Sequence, residues 1–173
     1  MKPKPLVGIS ACLTGINVRY NGGNKLDLDL LNTLGKFMDF IPLCPEFECG
    51  MSIPREPMRL ESHDGATRLM TIESKQDMTV KLEVWIEKKI NELSLKNLCG
   101  FIFKSKSPSC GISSVAVYYP DEQIRKETGI FTKAFIRAFP ALIVEEAENL
   151  RDQNNINTFI DNVLHSWKRT IKT

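Results

Sequence analysis

Five cysteines are the residues of this 173-residue sequence best suited to carry chemistry. Cys12, Cys44 and Cys110 each follow a short apolar stretch and stand beside turn-forming residues, which places them in loops. Cys99 begins an apolar stretch and is predicted to lie in the core, whereas Cys49 is either a spare ligand or a resolving thiol. An odd number of cysteines without regular short spacing argues against a secreted disulfide framework. We therefore expect reduced thiols that bind a metal or take part in catalysis.

The three loop cysteines suit an iron-sulfur cluster. Thiolates are soft ligands that favour iron and zinc, and a 4Fe-4S cube takes one ligand per iron, so three cysteines would leave one iron open. Their flanking loops expose backbone amides that can donate hydrogen bonds to cluster sulfides. Structural zinc with a fourth ligand is an alternative, although such sites usually contain a close Cys-x-x-Cys pair, which this sequence lacks. A free cysteine is also often only a small buried apolar residue.

The sequence gives less support for other catalytic and binding sites than for an iron-sulfur cluster. The two histidines, His63 and His165, fall in a charged loop and on a terminal helix, so no base is evident for a Cys-His or Ser-His-Asp enzyme. The segment 22–25 (GGNK) lacks the spacing of a P-loop, and no Gly-x-Gly-x-x-Gly follows the first strand. The net charge of +2, with a short basic tail at 167–173, disfavours the binding of bulk duplex DNA.

The elements that must position these cysteines alternate between strands and helices. Apolar stretches predict strands at 6–13, 37–43, 98–104 and 141–146, and helical periodicity predicts helices at 26–35, 79–95, 128–139 and about 156–168. This alternation implies right-handed crossovers and a mostly parallel α/β sheet with flanking helices. Because ligands in such sheets bind beyond the carboxyl ends of the strands, Cys12, Cys44 and Cys110 are expected to converge on one rim.

The segment 50–79 interrupts this pattern. It is rich in proline, glycine and charge, and we predict an irregular excursion over the surface with at most a short strand within 67–73. An irregular segment of this length usually serves a function.

The composition is that of one globular domain spanning residues 1–173. Apolar residues make up 42% and charged residues 25% of the chain, and the length is near the ~150 residues typical of a single domain. No apolar run approaches the ~18 residues that a membrane-spanning helix requires, and the first apolar stretch is too short for a signal sequence. We therefore expect a single-domain cytoplasmic protein that does not enter the membrane.

Six short segments carry distinctive motifs. They are 7–15 (VGISACLTG), 18–23 (VRYNGG), 44–46 (CPE), 54–57 (PREP), 107–111 (SPSCG) and 129–131 (GIF). In this order they resemble the 2-thiouracil desulfurase family, and the resemblance covers about residues 6–150. Members of that family have a Rossmann-like α/β domain that holds a 4Fe-4S cluster on three cysteines, and they replace the sulfur of thiolated uracil by oxygen from water. The resemblance implies the same fold, cofactor and activity for this chain.

The resemblance also implies a role for each matching residue. Cys12, Cys44 and Cys110 are expected to bind the cluster, Glu46 to be the acid/base, and Ser107 to be a polar partner near the open iron. Such an iron prefers a soft sulfur to the oxygen of water, which would select thiolated substrates. Glu46 would take a proton from the attacking water, and the sulfur would depart as hydrosulfide without net redox change.

Substrate contacts are expected from Arg19, Asn21, Arg55 and Ser109. The two arginines offer forked donors to a base carbonyl or a phosphate. Asn21 stands where the family often has Asp, and Cys49 stands where it often has Gly. The change at Asn21 bears on what the loop after the first strand recognises. The expected partner is a small thiolated base or nucleoside, with thiolated tRNA left open. The alternatives are an iron-sulfur binding or electron-transfer module without hydrolytic activity, and the zinc domain named above.

Overall fold

The computed structural model describes residues 3–170, in which eight strands and five α-helices are present. In chain order the strands are β1 (Leu6–Ser10), β2 (Asp39–Leu43), β3 (Met58–His63), β4 (Ala66–Thr71), β5 (Leu98–Phe103), β6 (Val115–Tyr118), β7 (Ile124–Glu127) and β8 (Ile143–Glu146). The α-helices are α1 (Leu28–Leu34), α2 (Pro45–Glu48), α3 (Thr79–Ser94), α4 (Ile130–Ala138) and α5 (Gln153–Thr170). Short 3-10 turns lie at Ala11–Thr14 and Asn149–Arg151.

A four-stranded parallel sheet in the order β2-β1-β5-β8 forms the centre of the molecule. Every residue of β5 is buried, as expected for a parallel strand covered on both faces. Phe101 and Phe103 belong to one apolar layer and Ile102 to the other, because successive side chains of a strand point to opposite faces. The prediction of a parallel α/β sheet with flanking helices is confirmed.

Helices cover both faces of this sheet. On one face, Leu34 of α1 and Val163 of α5 are fully buried in the layer that contains Ile102. On the other face, Leu82 of α3 and Phe131 of α4 pack in the layer that contains Phe101 and also extends to the second sheet. No helix within residues 3–170 combines the length and the apolar character needed to cross a bilayer.

The second sheet has the order β4-β3-β6-β7 and mixes parallel and antiparallel pairs. The prediction that 50–79 is irregular is therefore wrong over β3 and β4, although the short strand predicted within 67–73 is present as β4. In β3, buried Leu60 alternates with charged, partly exposed neighbours, so the strand lacks the continuous apolar run of β1 or β5. Asp64 and Gly65 join the two strands with φ of 49° and 78°, which is typical of a type I′ hairpin turn. The Asp-Gly pair is the feature of the sequence from which this hairpin could have been predicted.

Several element boundaries also differ from the predicted ones. β1 ends at Ser10 rather than at residue 13, because the chain turns there into the 3-10 segment Ala11–Thr14. The last helix begins at Gln153 rather than at about 156, since the carboxylate of Asp152 accepts hydrogen bonds from the N–H groups of Asn154 and Asn155 and caps it. The strands β6 and β7 were not predicted.

Candidate active site

Cys12, Cys44 and Cys110 lie beyond the carboxyl ends of three neighbouring strands. Cys12 lies in the 3-10 turn after β1, Cys44 directly follows β2, and Cys110 lies in the loop after β5. Because β2, β1 and β5 are adjacent and parallel, these ends share one edge of the sheet. All three cysteines line one cavity of about 320 Å³. The structure therefore brings together the cysteines for which the sequence predicts convergence.

Burial governs the protonation of these three thiols. It raises the pKa of Cys12, raises that of Cys44 to about 11, and raises that of Cys110 most strongly. The charge that a Cys44 or Cys12 thiolate would carry raises the pKa of Cys110 further. Cys110 is buried and Cys12 and Cys44 are half-buried, so all three thiols favour the protonated form unless a cationic group binds them. A metal centre is such a group, because thiols lose their protons when they bind metal.

Two basic side chains line the same cavity without a carboxylate partner. Among residues 3–170, neither Lys104 nor Arg19 forms an ion pair within 4.0 Å. Burial lowers the pKa of Lys104, whose Nζ donates a hydrogen bond to the Ser105 carbonyl oxygen at 2.7 Å. The positive charges of both side chains act against the burial that raises the pKa of Cys12. Lys104 was not predicted as a residue of the site. Its position directly after β5, at the edge of the sheet where the cysteines lie, could have indicated this role.

This donor set fits a 4Fe-4S cluster. Within the described part of the chain, no three His, Cys, Asp or Glu side chains lie close enough together to hold one metal ion. A cube binds each thiolate through its own iron, so its ligands are spread around a larger body. Three thiols around a shared cavity, with two basic side chains beside them, are the donor types and the charges that such a cluster would need.

Glu46 belongs to the same cavity and lies in the first turn of α2. Its Oε2 accepts hydrogen bonds from Arg55 Nη2 at 2.5 Å and Nε at 3.1 Å, and its Oε1 accepts one from the Ser109 hydroxyl at 2.6 Å. The side chains of Glu46 and Arg55 are only 12% and 7% exposed. A carboxylate oxygen can accept two hydrogen bonds, so Oε1 retains capacity for one more. The carboxylate is thus held in a fixed orientation with one oxygen able to bind a further donor.

Helix α4 clamps the loop that carries Cys110, here called the cysteine loop (residues 104–114). The N–H of Phe131 donates to the Ser109 carbonyl at 3.0 Å, and the Thr132 hydroxyl donates to the Cys110 carbonyl at 2.7 Å. Gly129 leaves no room for a side chain, since a Cβ there would lie 2.6 Å from the Ser109 carbonyl carbon. The motif at 129–131 therefore serves to bring α4 against the cysteine loop.

The two arginines expected to contact substrate lie in different environments. Arg55 donates to the Val18 carbonyl at 3.1 Å in addition to its bonds with Glu46, so most of its donors are used within the protein. Arg19 lines the cavity with its guanidinium carbon 5.5 Å from the centroid of the Tyr20 ring. Tyr20 is 40% exposed and lines the same cavity. Of the two arginines, Arg19 is the one with donors to spare.

Asn21 and Cys49 are not among the residues that line this cavity in the described chain. The Asn21 Oδ1 accepts a hydrogen bond from the N–H of Gly23 at 3.1 Å and stabilises the turn after Tyr20. The Cys49 thiol donates to the carbonyl oxygen of Glu46 at 3.2 Å, at the end of α2 and away from the rim. Cys99 is buried in the core, as predicted.

Comparison with known proteins bears on this site. The model of the 2-thiouracil desulfurase family matches residues 7–147. The chain is 28% identical over 164 residues to the uncharacterized protein YbbK of Bacillus subtilis (strain 168), covering 90% of this chain and 100% of YbbK. It is also similar to a solved structure of TudS, a [4Fe-4S]-dependent thiouracil desulfidase, with a TM-score of 0.63, 26% identity, and coverage of 91% of this chain and 99% of that one. The family match spans most of the chain and includes every cavity residue described above, so this protein belongs to the 2-thiouracil desulfurase family.

Proposed function

We propose that this protein is an iron-sulfur enzyme that replaces the sulfur of a thiolated nucleobase by oxygen. The observation that carries the proposal is the convergence of Cys12, Cys44 and Cys110 on one cavity to which Glu46 also belongs. In the balanced reaction, a thiocarbonyl and water give a carbonyl and hydrogen sulfide. No atom changes its oxidation state, so the enzyme needs no electron donor.

Cys12, Cys44 and Cys110 would hold a 4Fe-4S cluster through three of its irons. When bound, the cluster supplies an open iron that acts as a Lewis acid and prefers soft sulfur to the oxygen of water, which selects thiolated substrates. Lys104 and Arg19 offset the negative charge that the three thiolates bring into the cavity. The resemblance to the family and to TudS supports this cofactor.

Glu46 is the group that activates water. Its Oε1 accepts a proton from the water, while Arg55 holds Oε2 and so fixes the direction in which Oε1 points. Water loses two protons as its oxygen becomes the carbonyl oxygen. Glu46 receives the first of these protons, and the second departs with the sulfur as hydrosulfide.

A chain of hydrogen bonds holds this base in a constant position relative to the cluster ligands. The Ser109 hydroxyl, bound to Glu46, lies 3.2 Å from the Ser107 hydroxyl, which accepts a hydrogen bond from the N–H of Cys110 at 3.2 Å. The two serines therefore hold Glu46 and the cysteine loop in place. Ser107 is also the polar partner that we place near the open iron.

The substrate would enter beside Tyr20 and Arg19. The exposed Tyr20 ring offers a face for stacking of a pyrimidine, and Arg19 has free donors for a carbonyl oxygen of the base. Arg55, whose donors are used on Glu46 and Val18, acts through Glu46 rather than on the substrate. We expect a small thiolated base or nucleoside, and we assign Asn21 to the shape of this entrance through its turn.

We further infer that residues 1–173 form one domain that works in the cytoplasm. All five cysteines are free thiols, and a cluster with an open iron is destroyed by oxygen. Both observations favour a reducing compartment.

Anaerobic purification and reconstitution followed by an assay with 2-thiouracil tests the proposal. We expect brown protein with about four irons and about four acid-labile sulfides per chain, and conversion of 2-thiouracil to uracil with release of sulfide. Stoichiometric zinc without sulfide after reconstitution would contradict the cofactor. An intact cluster that releases no sulfide from any thiolated base, nucleoside or tRNA would instead favour an iron-sulfur binding module.

A further inference from the structure

Glu146 is a buried carboxylate that takes no part in the mechanism above. It is the last residue of β8 and is 7% exposed. Among residues 3–170 it forms no ion pair within 4.0 Å, although a buried charge usually has a partner of opposite sign. β8 pairs with β5, and Glu146 lies opposite Phe103, the last residue before the cysteine loop. The carboxylate therefore stands at the base of that loop.

The carboxylate of Glu146 binds the exit of the cysteine loop directly and its entry through Ser114. Its Oε1 accepts hydrogen bonds from the N–H of Ile112 at 2.5 Å and from the hydroxyl of Ser114. The Ser114 oxygen in turn accepts a hydrogen bond from the N–H of Lys106 at 2.9 Å. The entry and exit of the loop are thus held together through Ser114 and Glu146.

This arrangement complements the clamp made by α4. The helix holds the middle of the loop at Ser109 and Cys110, whereas Glu146 accepts hydrogen bonds from Ile112 and Ser114 near the exit of the loop. Three further side chains, those of Ser10, Ser105 and Thr128, form hydrogen bonds at the loop ends, but none of them connects the entry of the loop to its exit. An apolar residue at position 146 would avoid burying a charge but would leave the Ile112 N–H and the Ser114 hydroxyl without this acceptor.

We propose that Glu146 is a positioning residue that closes the cysteine loop before the cluster binds, so that Cys110 and the Ser107–Ser109 pair already face the cavity in the metal-free protein. The proposal rests on the proposed function for the role of Cys110. It concerns loop geometry and assigns Glu146 no contact with cluster or substrate.

Hydrogen exchange of the metal-free protein measures the closure of the loop directly. In Glu146→Ala, we expect the amides of residues 106–114 to exchange at least tenfold faster, while those of β1 and β5 keep their protection. Glu146→Gln retains an acceptor oxygen and should recover most of the protection, and Ser114→Ala should expose the amide of Lys106. Glu148→Gln is the matched control, because the side chain of Glu148 contacts the same loop through an exposed ion pair with Lys106 at 3.4 Å, and its backbone hydrogen bond to Ser105 does not depend on the carboxylate.

The reconstituted protein supplies a second readout. Removal of iron by a chelator should be at least tenfold faster in Glu146→Ala than in the parent and unchanged in Glu148→Gln. Unchanged exchange in the loop, or faster exchange spread evenly over β1 and β5, would overturn the proposal, as would iron removal at the parental rate. If Glu146→Ala does not fold, Ser114→Ala decides the matter, since an amide of Lys106 that exchanges at the parental rate in that variant would overturn the proposal.

The exchange experiment needs no metal, so its result is independent of catalysis. A parent protein that fails to bind a cluster would overturn the proposed function, whereas a loop that exchanges at the parental rate in Glu146→Ala would overturn only this inference.

Discussion

Glu46 and Glu61 are both carboxylates bound by an arginine, yet they lie in different regions of the molecule. The Glu46 and Arg55 side chains are 12% and 7% exposed at the rim of the parallel sheet, and those of Glu61 and Arg59 are 13% and 33% exposed on the second sheet. Glu61 is surrounded by further basic side chains, including His63 at 3.1 Å. Glu46 instead meets a serine hydroxyl and faces three thiols.

The difference shows that strand topology, rather than an ion pair, makes a site. At the carboxyl edge of the parallel sheet, crossover connections bring loops from β1, β2 and β5 together, so distant residues share one cavity. In the second sheet, β3 and β4 are joined by a two-residue turn, and the basic side chains that bind Glu61 all come from β3 or from the segment just after β4. The same pair of residue types is therefore part of a candidate active site in one region and an ion pair outside any shared cavity with the cysteines in the other.

Replacement of the three cavity cysteines should have the largest effect on cluster content and turnover. Alanine at Cys12, Cys44 or Cys110 removes the only thiolate for one iron, so each variant should lose the cluster while remaining folded. Cys49→Ala and Cys99→Ala are the controls, because these thiols lie away from the cavity, and both should retain iron and sulfide. Iron and sulfide analysis with circular dichroism makes the comparison. Retention of the cluster by Cys110→Ala together with its loss in Cys49→Ala would contradict the ligand assignment.

Substitution of the two glutamates compares the contribution of each region to turnover. Glu46→Gln removes the proton acceptor but keeps the size, so turnover of 2-thiouracil should fall by ~10²–10⁴ with the cluster content unchanged. Glu61→Gln should leave turnover at the parental level. The account of water activation fails if Glu46→Gln turns over as fast as the parent.

The two arginines provide a finer comparison. A lysine ammonium cannot replace two N–H donors on one carboxylate oxygen, so Arg55→Lys should lower turnover by roughly 10- to 100-fold, as do other changes to residues that orient a reactive group. Arg59→Lys should have no effect on turnover. The effect of Arg55→Lys should appear in kcat rather than in KM, and an effect confined to KM would show that Arg55 binds the substrate instead.

Two glycines give the smallest effects and test the fold of each region. In Gly129→Ala, the new Cβ would collide with the cysteine loop, and we expect the free energy of unfolding to fall by about 1–3 kcal/mol with weaker retention of iron. In Gly65→Ala, the positive φ of the hairpin costs roughly 1–2 kcal/mol, but iron retention should not change. Urea unfolding and iron analysis measure both. Parental iron retention in Gly129→Ala would argue against the clamp made by α4.

The parallel sheet and the cysteine rim could be predicted because their signals are local. β1 and β5 are short continuous apolar runs, and Cys12, Cys44 and Cys110 lie in the segments that follow β1, β2 and β5. Parallel topology then leaves little freedom in where the strand ends meet. The second sheet was missed except for β4, because β3 and β7 carry charged residues on their exposed sides, a pattern that resembles a polar loop.

The partners of Glu46 could not be predicted from the sequence. Arg55 lies 9 positions from Glu46 and Ser109 lies 63 positions away, so their hydrogen bonds depend on the packed arrangement of separate loops. Arg55 and Ser109 have residue types that suit a substrate as well as they suit a carboxylate. Only the three-dimensional structure shows which partner each of them has in the protein.

Turnover of 2-thiouracil by the anaerobic holoprotein in ¹⁸O-labelled water shows whether the new carbonyl oxygen comes from water. Each uracil formed should carry one labelled oxygen at the former sulfur position, and one sulfide should be released with it, without any added reductant. Unlabelled uracil, a requirement for an electron donor, or the absence of sulfide from a preparation with an intact cluster would contradict the proposed reaction.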